Sequence, residues 1–202
     1  MNFIKNRFKQ SSDEELMSAI QNGSSGSLGE LYNRYSKRIL VYFYRMLGSE
    51  EKAQDYLQDI FLKLIEHPYA FDTSRTFSKW IFSIAANMCK NEYRYIEVRK
   101  NAHNGRMNNI ELTTEPELEN ELDHAQFKMQ LSREIQELDT NQRNTFLLRF
   151  QSNFSIKEIS QILRCSEGTV KSRLYYITRK LAIKLKDFDP LKEEESYHEE
   201  QK

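Results

Sequence analysis

Apolar residues recur along most of the chain at intervals of three and four, and no stretch alternates β-branched and polar residues over the length of a strand. Only 3 prolines and 6 glycines punctuate the 202 residues. The pattern therefore predicts an all-α protein. The helical period runs from about Asp13 to Lys100 and resumes from about Gln126 to Lys186. Between them lies NAHNGRMNNIELTTEPELENELD, which is polar and contains Gly105 and Pro116. Its acids, Glu111, Glu115, Glu117, Glu119, Glu121 and Asp123, have no lysine or arginine interspersed. This composition reads as a flexible acidic linker. The expected architecture is two small helical domains, residues 8–100 and 125–188, joined by a linker at 101–124 and followed by a polar, acid-rich tail at 189–202 that reads as disordered.

Helix starts are marked by serines whose hydroxyl takes a free N–H of the first turn while a glutamate three residues on reaches back. Ser27 with Glu30 and Ser155 with Glu158 fit this spacing. Leu47-Gly48-Ser49 closes one helix and opens another, with Glu50 and Glu51 near the new positive end.

On a wheel advancing about 100° per residue, Ala53, Tyr56, Leu57, Ile60, Phe61 and Leu64 form one stripe facing a core. The opposite side holds Asp55, Gln58, Asp59 and Leu62. An exposed leucine among acids and an amide is compatible with an ordinary solvated face, which the wheel alone favours, or with a docking face for a basic partner anchored by Leu62. The helix from about Phe77 places Phe77, Trp80, Ile81, Ile84, Ala85 and Met88 inward. Its other face carries Lys79, Ser83, Ala86, Asn87, Lys90 and Arg94, flanked by Phe82 and Tyr93. Small residues there admit a close backbone, Asn87 can pair with a base edge, and the cations suit phosphates. Upstream, the loop from Tyr69 to Thr76, with Phe71 within it, has a composition able to hold an unstacked base, or equally to turn its aromatics inward.

Further on, Ser155 to Leu163 reads as a short helix with Ile156, Ile159 and Leu163 inward, Arg164 and Cys165 as a turn, and Ser166 as the cap of a second helix with Val170 and Leu174 inward. This is the spacing of a DNA-binding helix-turn-helix, although a plain helical hairpin shares it. The outer side of the second helix would present Glu167, Thr169, Lys171, Ser172, Tyr175 and Tyr176, with Arg173 at its edge and Arg179 and Lys180 beyond for the DNA backbone.

Charge and chemistry narrow the function. Lys plus Arg and Asp plus Glu each number 30, so a nucleic-acid surface must be local, whereas a self-sufficient DNA binder usually has a basic excess. No run is long and apolar enough for a membrane helix, and the first residues lack the apolar core of a signal peptide, so a cytoplasmic protein without direct membrane insertion is expected. The 2 cysteines, Cys89 and Cys165, and the 4 scattered histidines have no metal-ligand spacing. Packing is the expected role of Cys165. With no nucleophile beside a base and no phosphate-cradling glycine loop, neither catalysis nor a cofactor is expected.

Together these segments resemble the extracytoplasmic-function class of bacterial RNA polymerase sigma factors. KAQDYLQDIFLKL, FSKWIFSIAANMCKNEYR and EISQILRCSEGTVKSRL resemble three motifs of that family in the same order. The resemblance spans nearly the whole chain apart from linker and tail. It implies a promoter-specificity subunit of core RNA polymerase (β′ and β subunits), with Asp55, Gln58, Asp59 and Leu62 on the β′ clamp helices. Phe71, in the loop that would hold a non-template base, and Ser83, Asn87, Lys90 and Arg94 would melt and read the minus-ten promoter element. Thr169, Lys171, Ser172, Arg173, Tyr175 and Tyr176 would read the minus-thirty-five element. The linker would pass near the active-site cleft, its acids mimicking nucleic acid. Members of the family are often held by a membrane-linked anti-sigma factor, a further candidate partner.

The chain departs from the family at Arg164, where glycine is usual, at Ser160, where alanine is, and at Asn91, where aspartate is frequent. YYITRK replaces a segment that is often Arg-Ala-Arg, so Tyr176 cannot make an arginine's bidentate guanine contact, and a shifted minus-thirty-five preference is expected. The competing reading is a stand-alone helix-turn-helix regulator. It leaves the neutral charge and the acidic face of the first domain without a purpose.

Overall fold

The computed structural model describes residues 8–102 and 122–188, and among them every regular element is helical. The expected tail, and the expected linker from residue 103 to 121, lie outside the described residues; the linker's expected edges are helix ends.

The first domain comprises α1 (Asp13–Gln21), α2 (Ser25–Leu47), α3 (Glu50–Glu66) and α4 (Phe77–Ala102). Ser12 and Glu15 form a full capping box at α1. At α2 the cap is Ser24, not Ser27: the Ser24 hydroxyl accepts from the Ser27 N–H, and Ser27 is buried in the first turn. Several serines within one turn can serve as caps, and the earlier one lengthens the helix while Ser27 packs inward. Gly48, left-handed at φ 68°, ends α2, and Ser49 caps α3 as expected. Leu31, Tyr35, Ile39, Tyr42, Phe43 and Met46 of α2 meet Ala53, Leu57, Ile60, Phe61 and Leu64 of α3 and Phe77, Ile81, Ala85 and Met88 of α4 in one buried cluster.

The second domain comprises α5 (Leu122–Gln136), α6 (Thr140–Phe146), α7 (Ile156–Leu163) and α8 (Glu167–Lys184). Asp139 caps α6 through the N–H groups of Asn141 and Gln142, both at 2.9 Å. A wide π turn over Leu147–Gln151 follows, and Asn153 in a left-handed conformation reverses the chain into the Ser155 cap of α7. The Ser155–Glu158 capping box forms as the spacing predicts. In α7 the buried pair is Ile159 and Ile162, with Ile156 and Leu163 half-buried, because α7 is covered from two sides.

The two domains are closed on one another. Leu147, Leu148, Phe154, Ile159, Ile162 and Val170 belong to the same apolar cluster as the first-domain core, and a small separate cluster of Leu138, Ile177 and Leu181 is all that the described residues of the second domain hold apart. Helix α7 lies against α4, and Phe154 meets Phe82 edge to face with ring centroids 5.1 Å apart. At the centre Arg143, only 5% exposed, donates within its own domain to the carbonyls of Ile135 (3.0 Å), Gln136 and Leu138 (3.1 Å). Across the interface it donates to the Met46 carbonyl at 2.8 Å, at the end of α2, and to the Tyr93 hydroxyl, which itself donates to the same carbonyl. A guanidinium at a helix C-terminus satisfies an orphan carbonyl and the negative end of the dipole together. Burial lowers the Arg143 pKa, and Tyr93 works against that shift. Beside it the Tyr42 hydroxyl donates to Asn144 Oδ1.

Candidate nucleic-acid interface and docking face

Helix α3 turns its predicted outer face to solvent. Asp55, Gln58, Asp59 and Leu62 all lie on its outer side, Leu62 exposed by 50%. The structure adds what one wheel could not show: a groove of about 680 Å³ between α2 and α3, floored by Leu28, Tyr32, Phe61, Leu62 and Ile65 with Gln58 and Asp59 beside it. Tyr32 and Phe61 contact each other across it with centroids 4.9 Å apart. Ile65, one turn beyond Leu62 and as exposed, was the sequence signal for this extension, whereas Tyr32 joins only through the packing of α2 on α3. An apolar floor with Asp59 at its rim and Asp55 one turn away is suited to a basic partner helix that carries an apolar anchor.

The outer face of α4 divides into two rows. Phe82, Ala86 and Cys89 are buried and Tyr93 half-buried. Asn87, Lys90 and Arg94 are exposed and Ser83 is half-buried, its hydroxyl donating to the Trp80 carbonyl at 2.7 Å. The small side chain of Ala86, expected to admit a DNA backbone, belongs to the buried row on the side closed by the second domain.

Phe71 is not available to a base: it is 2% exposed and packs on Phe77 and Trp80 at centroid distances of 5.5 and 5.1 Å. Gln21 of α1 fixes the loop by donating to the carbonyls of Pro68 and Phe71, both at 3.0 Å, which turns the Phe71 ring inward. The loop aromatic that faces solvent is Tyr69, 77% exposed, its hydroxyl donating to the Gln21 carbonyl at 2.8 Å. Asp72 accepts from the Ser74 hydroxyl and backbone N–H, which with Arg75 hold its carboxyl below the usual range and keep the turn anionic.

In the helix-turn-helix, Arg164 is the left-handed C-cap of α7 at φ 52°, the conformation for which glycine is suited. The Ser166 hydroxyl accepts from the Thr169 N–H at 3.0 Å and starts α8. Val170 is buried as expected. Lys171, Ser172, Tyr175 and Tyr176 are exposed along one side, with Thr169 and Arg173 half-buried at its margin. Tyr175 and Tyr176 stand edge to face at 5.4 Å, forming an aromatic ledge beside the two polar residues.

The fold and these surfaces define an all-helical protein with a helix-turn-helix second domain and, on its first, an acidic face beside an apolar groove. Residues 31–97 match the Sigma-70 region 2 family and residues 128–181 the Sigma-70, region 4 family, together more than half of the chain. The chain belongs to the RNA polymerase sigma factors, in their extracytoplasmic-function (ECF) class. It is similar to the ECF RNA polymerase sigma factor BldN of Streptomyces coelicolor, 27% identical over 177 residues that cover 86% of this chain and 66% of that protein. It is also similar to the ECF RNA polymerase sigma factor SigW of Bacillus subtilis, 26% identical over 194 residues covering 91% of this chain and 97% of SigW. Its fold matches that of the sigma factor RpoE in complex with the anti-sigma factor NepR from Bartonella quintana, with a TM-score of 0.67 at 22% identity over 78% of this chain and 96% of RpoE. Sigma factors are non-catalytic initiation factors. Among the described residues no helix is long and apolar enough to cross a membrane.

Proposed function

We propose that this chain binds core RNA polymerase, through its β′ and β subunits, and directs promoter-specific initiation without catalysis of its own, in the cytoplasm. The observation that carries the proposal is the pairing of the α3 face with the helix-turn-helix: an exposed Leu62 among Asp55, Gln58 and Asp59, beside an apolar groove, has no use in a self-sufficient DNA binder. Residues 8–100 form the polymerase-docking and minus-ten unit and residues 125–188 the minus-thirty-five unit, with 101–124 between them.

In the first unit Ser83, Asn87, Lys90 and Arg94 line the outer row of α4, with cations for phosphates and Asn87 for a base edge. The base-stacking role moves from Phe71 to Tyr69, the aromatic its loop exposes. In the second unit the positive start of α8 draws the backbone, and Lys171, Ser172, Tyr175 and Tyr176 face the major groove with Thr169 and Arg173 at the margin. An anti-sigma factor is a further partner, as the RpoE complex supports for that relative.

The test is transcription from a promoter library by bacterial core polymerase with the purified chain. Specific transcripts dependent on the chain are expected, with a minus-thirty-five preference altered by Tyr176→Arg. Failure to bind core, together with an operator footprint by the chain alone, would establish the stand-alone regulator instead.

A further inference from the structure

The short polar side chains at the start of α8 are largely taken up by the helix itself. The Ser172 hydroxyl donates to the Thr169 carbonyl at 3.1 Å, and the Thr169 and Ser166 hydroxyls share a hydrogen bond of 2.9 Å. Arg173 is half-buried, its guanidinium 4.0 Å from the Cys165 sulfur. Lys171 is left as the exposed cation of the first two turns. On a wheel advancing about 100° per residue, Gly168, Ser172 and Arg179 run down the outer side of α8, opposite the buried Val170, Ile177 and Leu181. Gly168 and Ser172 are small, so the helix can come close to base edges along this line. Tyr175 and Tyr176 flank it by about 50° on either side. Both are more than half exposed, at 58% and 63%.

The two rings stand 76° to one another with centroids 5.4 Å apart, an aromatic corner held by mutual packing. Such a corner has no bidentate donor with which to select guanine, and it gains most by covering an apolar group. The major groove offers one: base edges there carry donors and acceptors, and only thymine adds a methyl, on its C5. A ring laid over the exocyclic amine of cytosine or adenine would strip water from it and return no hydrogen bond of equal quality. The centroid spacing exceeds the base-pair rise of about 3.4 Å, so the two rings address neighbouring pairs rather than a single one. We propose that Tyr175 and Tyr176 read the 5-methyl groups of two neighbouring thymines in the minus-thirty-five element. The proposal rests on the sigma reading and specifies what the altered minus-thirty-five preference is a preference for.

Uracil tests it, because it removes the methyl and leaves base pairing unchanged. The promoter selected from the library by core polymerase with the full chain is remade with uracil in place of each minus-thirty-five thymine. At two adjacent positions the loss should lower specific transcripts about fourfold each, as for one buried methylene, and about tenfold or more together. Uracil in the spacer should change nothing. Tyr175→Ala and Tyr176→Ala, with helicity unchanged because both side chains are exposed, should each transcribe the thymine template less and each become indifferent to uracil at one of the two positions. Tyr175→Phe and Tyr176→Phe should keep the parent's discrimination. Equal output from thymine and uracil templates, or a selected element with no adjacent thymines on either strand, would overturn the proposal. So would phenylalanine variants that fail as the alanine ones do, since the hydroxyls would then be the readers. An absence of specific transcripts from the thymine template would defeat the sigma reading, and the proposal with it.

Discussion

The outer faces of α3 and α4 look alike as sequence, each a polar row with odd apolar members opposite a core stripe, yet they end in different places. On α3 the face stays open, and Leu62 gains Ile65 and Tyr32 as neighbours in a groove. On α4 the apolar members Phe82, Ala86 and Cys89 are buried, Phe82 against Phe154 of the second domain, while Asn87, Lys90 and Arg94 stay exposed. The difference lies in what each face meets within the same chain. An apolar residue on an outer face is thus a contact whose partner is either another protein or a distant segment of its own, and Phe82 on Phe154 is the second case.

The largest expected effect comes from removing the group that closes the second domain over α4. Arg143→Met removes the guanidinium donor from the carbonyls of Gln136 and Leu138, and one of the two donors at those of Ile135 and Met46, a loss of about 3 kcal/mol of stability by urea unfolding. In the parent protein burial pushes the Cys89 thiol far up, with the nearby Arg143 charge acting in the opposite direction, so a water-soluble disulfide reagent should not reach it at pH 8. In the variant its labelling should rise more than tenfold at denaturant concentrations where the first domain is still helical. Unchanged labelling would remove the distinction between the two faces. Next in size is Leu62→Arg on the open face: core-polymerase affinity should fall about tenfold or more in a pull-down titration, with helicity and Cys89 protection untouched.

The α3 face was legible in the sequence because a wheel gives the direction of each side chain and no described element packs over it. The caps at Ser49, Ser155 and Ser166 were legible because capping is a matter of three or four consecutive residues. Phe71 was not, because a loop has no period and its ring direction is set by Gln21, 50 residues away, holding the loop carbonyls. The division of α4 into covered and open rows was hidden for the same reason. Arg143 reads as one more surface cation in a polar stretch, and only the convergence of α2, α4 and the α5–α6 turn makes it the centre of the closed state. Composition separates the two helical stretches yet cannot show that the second lacks a large core of its own, so domain closure was not legible either.

A smaller effect separates the second domain's own stability from its hold on α4. Arg164 adopts φ 52° between α7 and α8, where a side chain costs about 1 kcal/mol relative to glycine. Arg164→Gly should raise the unfolding midpoint by an amount equivalent to about 1 kcal/mol while leaving Cys89 labelling as slow as before. Faster labelling would mean that the turn also sets the grip on α4.

The smallest effect probes the seat of α7, the helix that covers α4. Hydrogen bonds from the Ser155 backbone and hydroxyl hold the Glu158 carboxyl below its ordinary value, burial opposes them, and Lys79 of α4 adds a favourable charge from across the interface. A carboxyl with a depressed folded pKa contributes stability that is fully present above the unfolded value of about 4.5 and is lost as pH falls through the lower folded value. Glu158→Gln keeps the capping geometry and removes the titration. At pH 7 the parent should exceed the variant by a few tenths of a kcal/mol, a modest gain because the group is still partly open to solvent, and the gap should close below about pH 4. Repeating the pair with Lys79→Met isolates the interdomain part. If the closed state persists in solution, the pH 7 gap between the chain with Glu158 and the one carrying Glu158→Gln narrows in that background; if α7 and α4 are apart, Lys79→Met leaves the gap as it was.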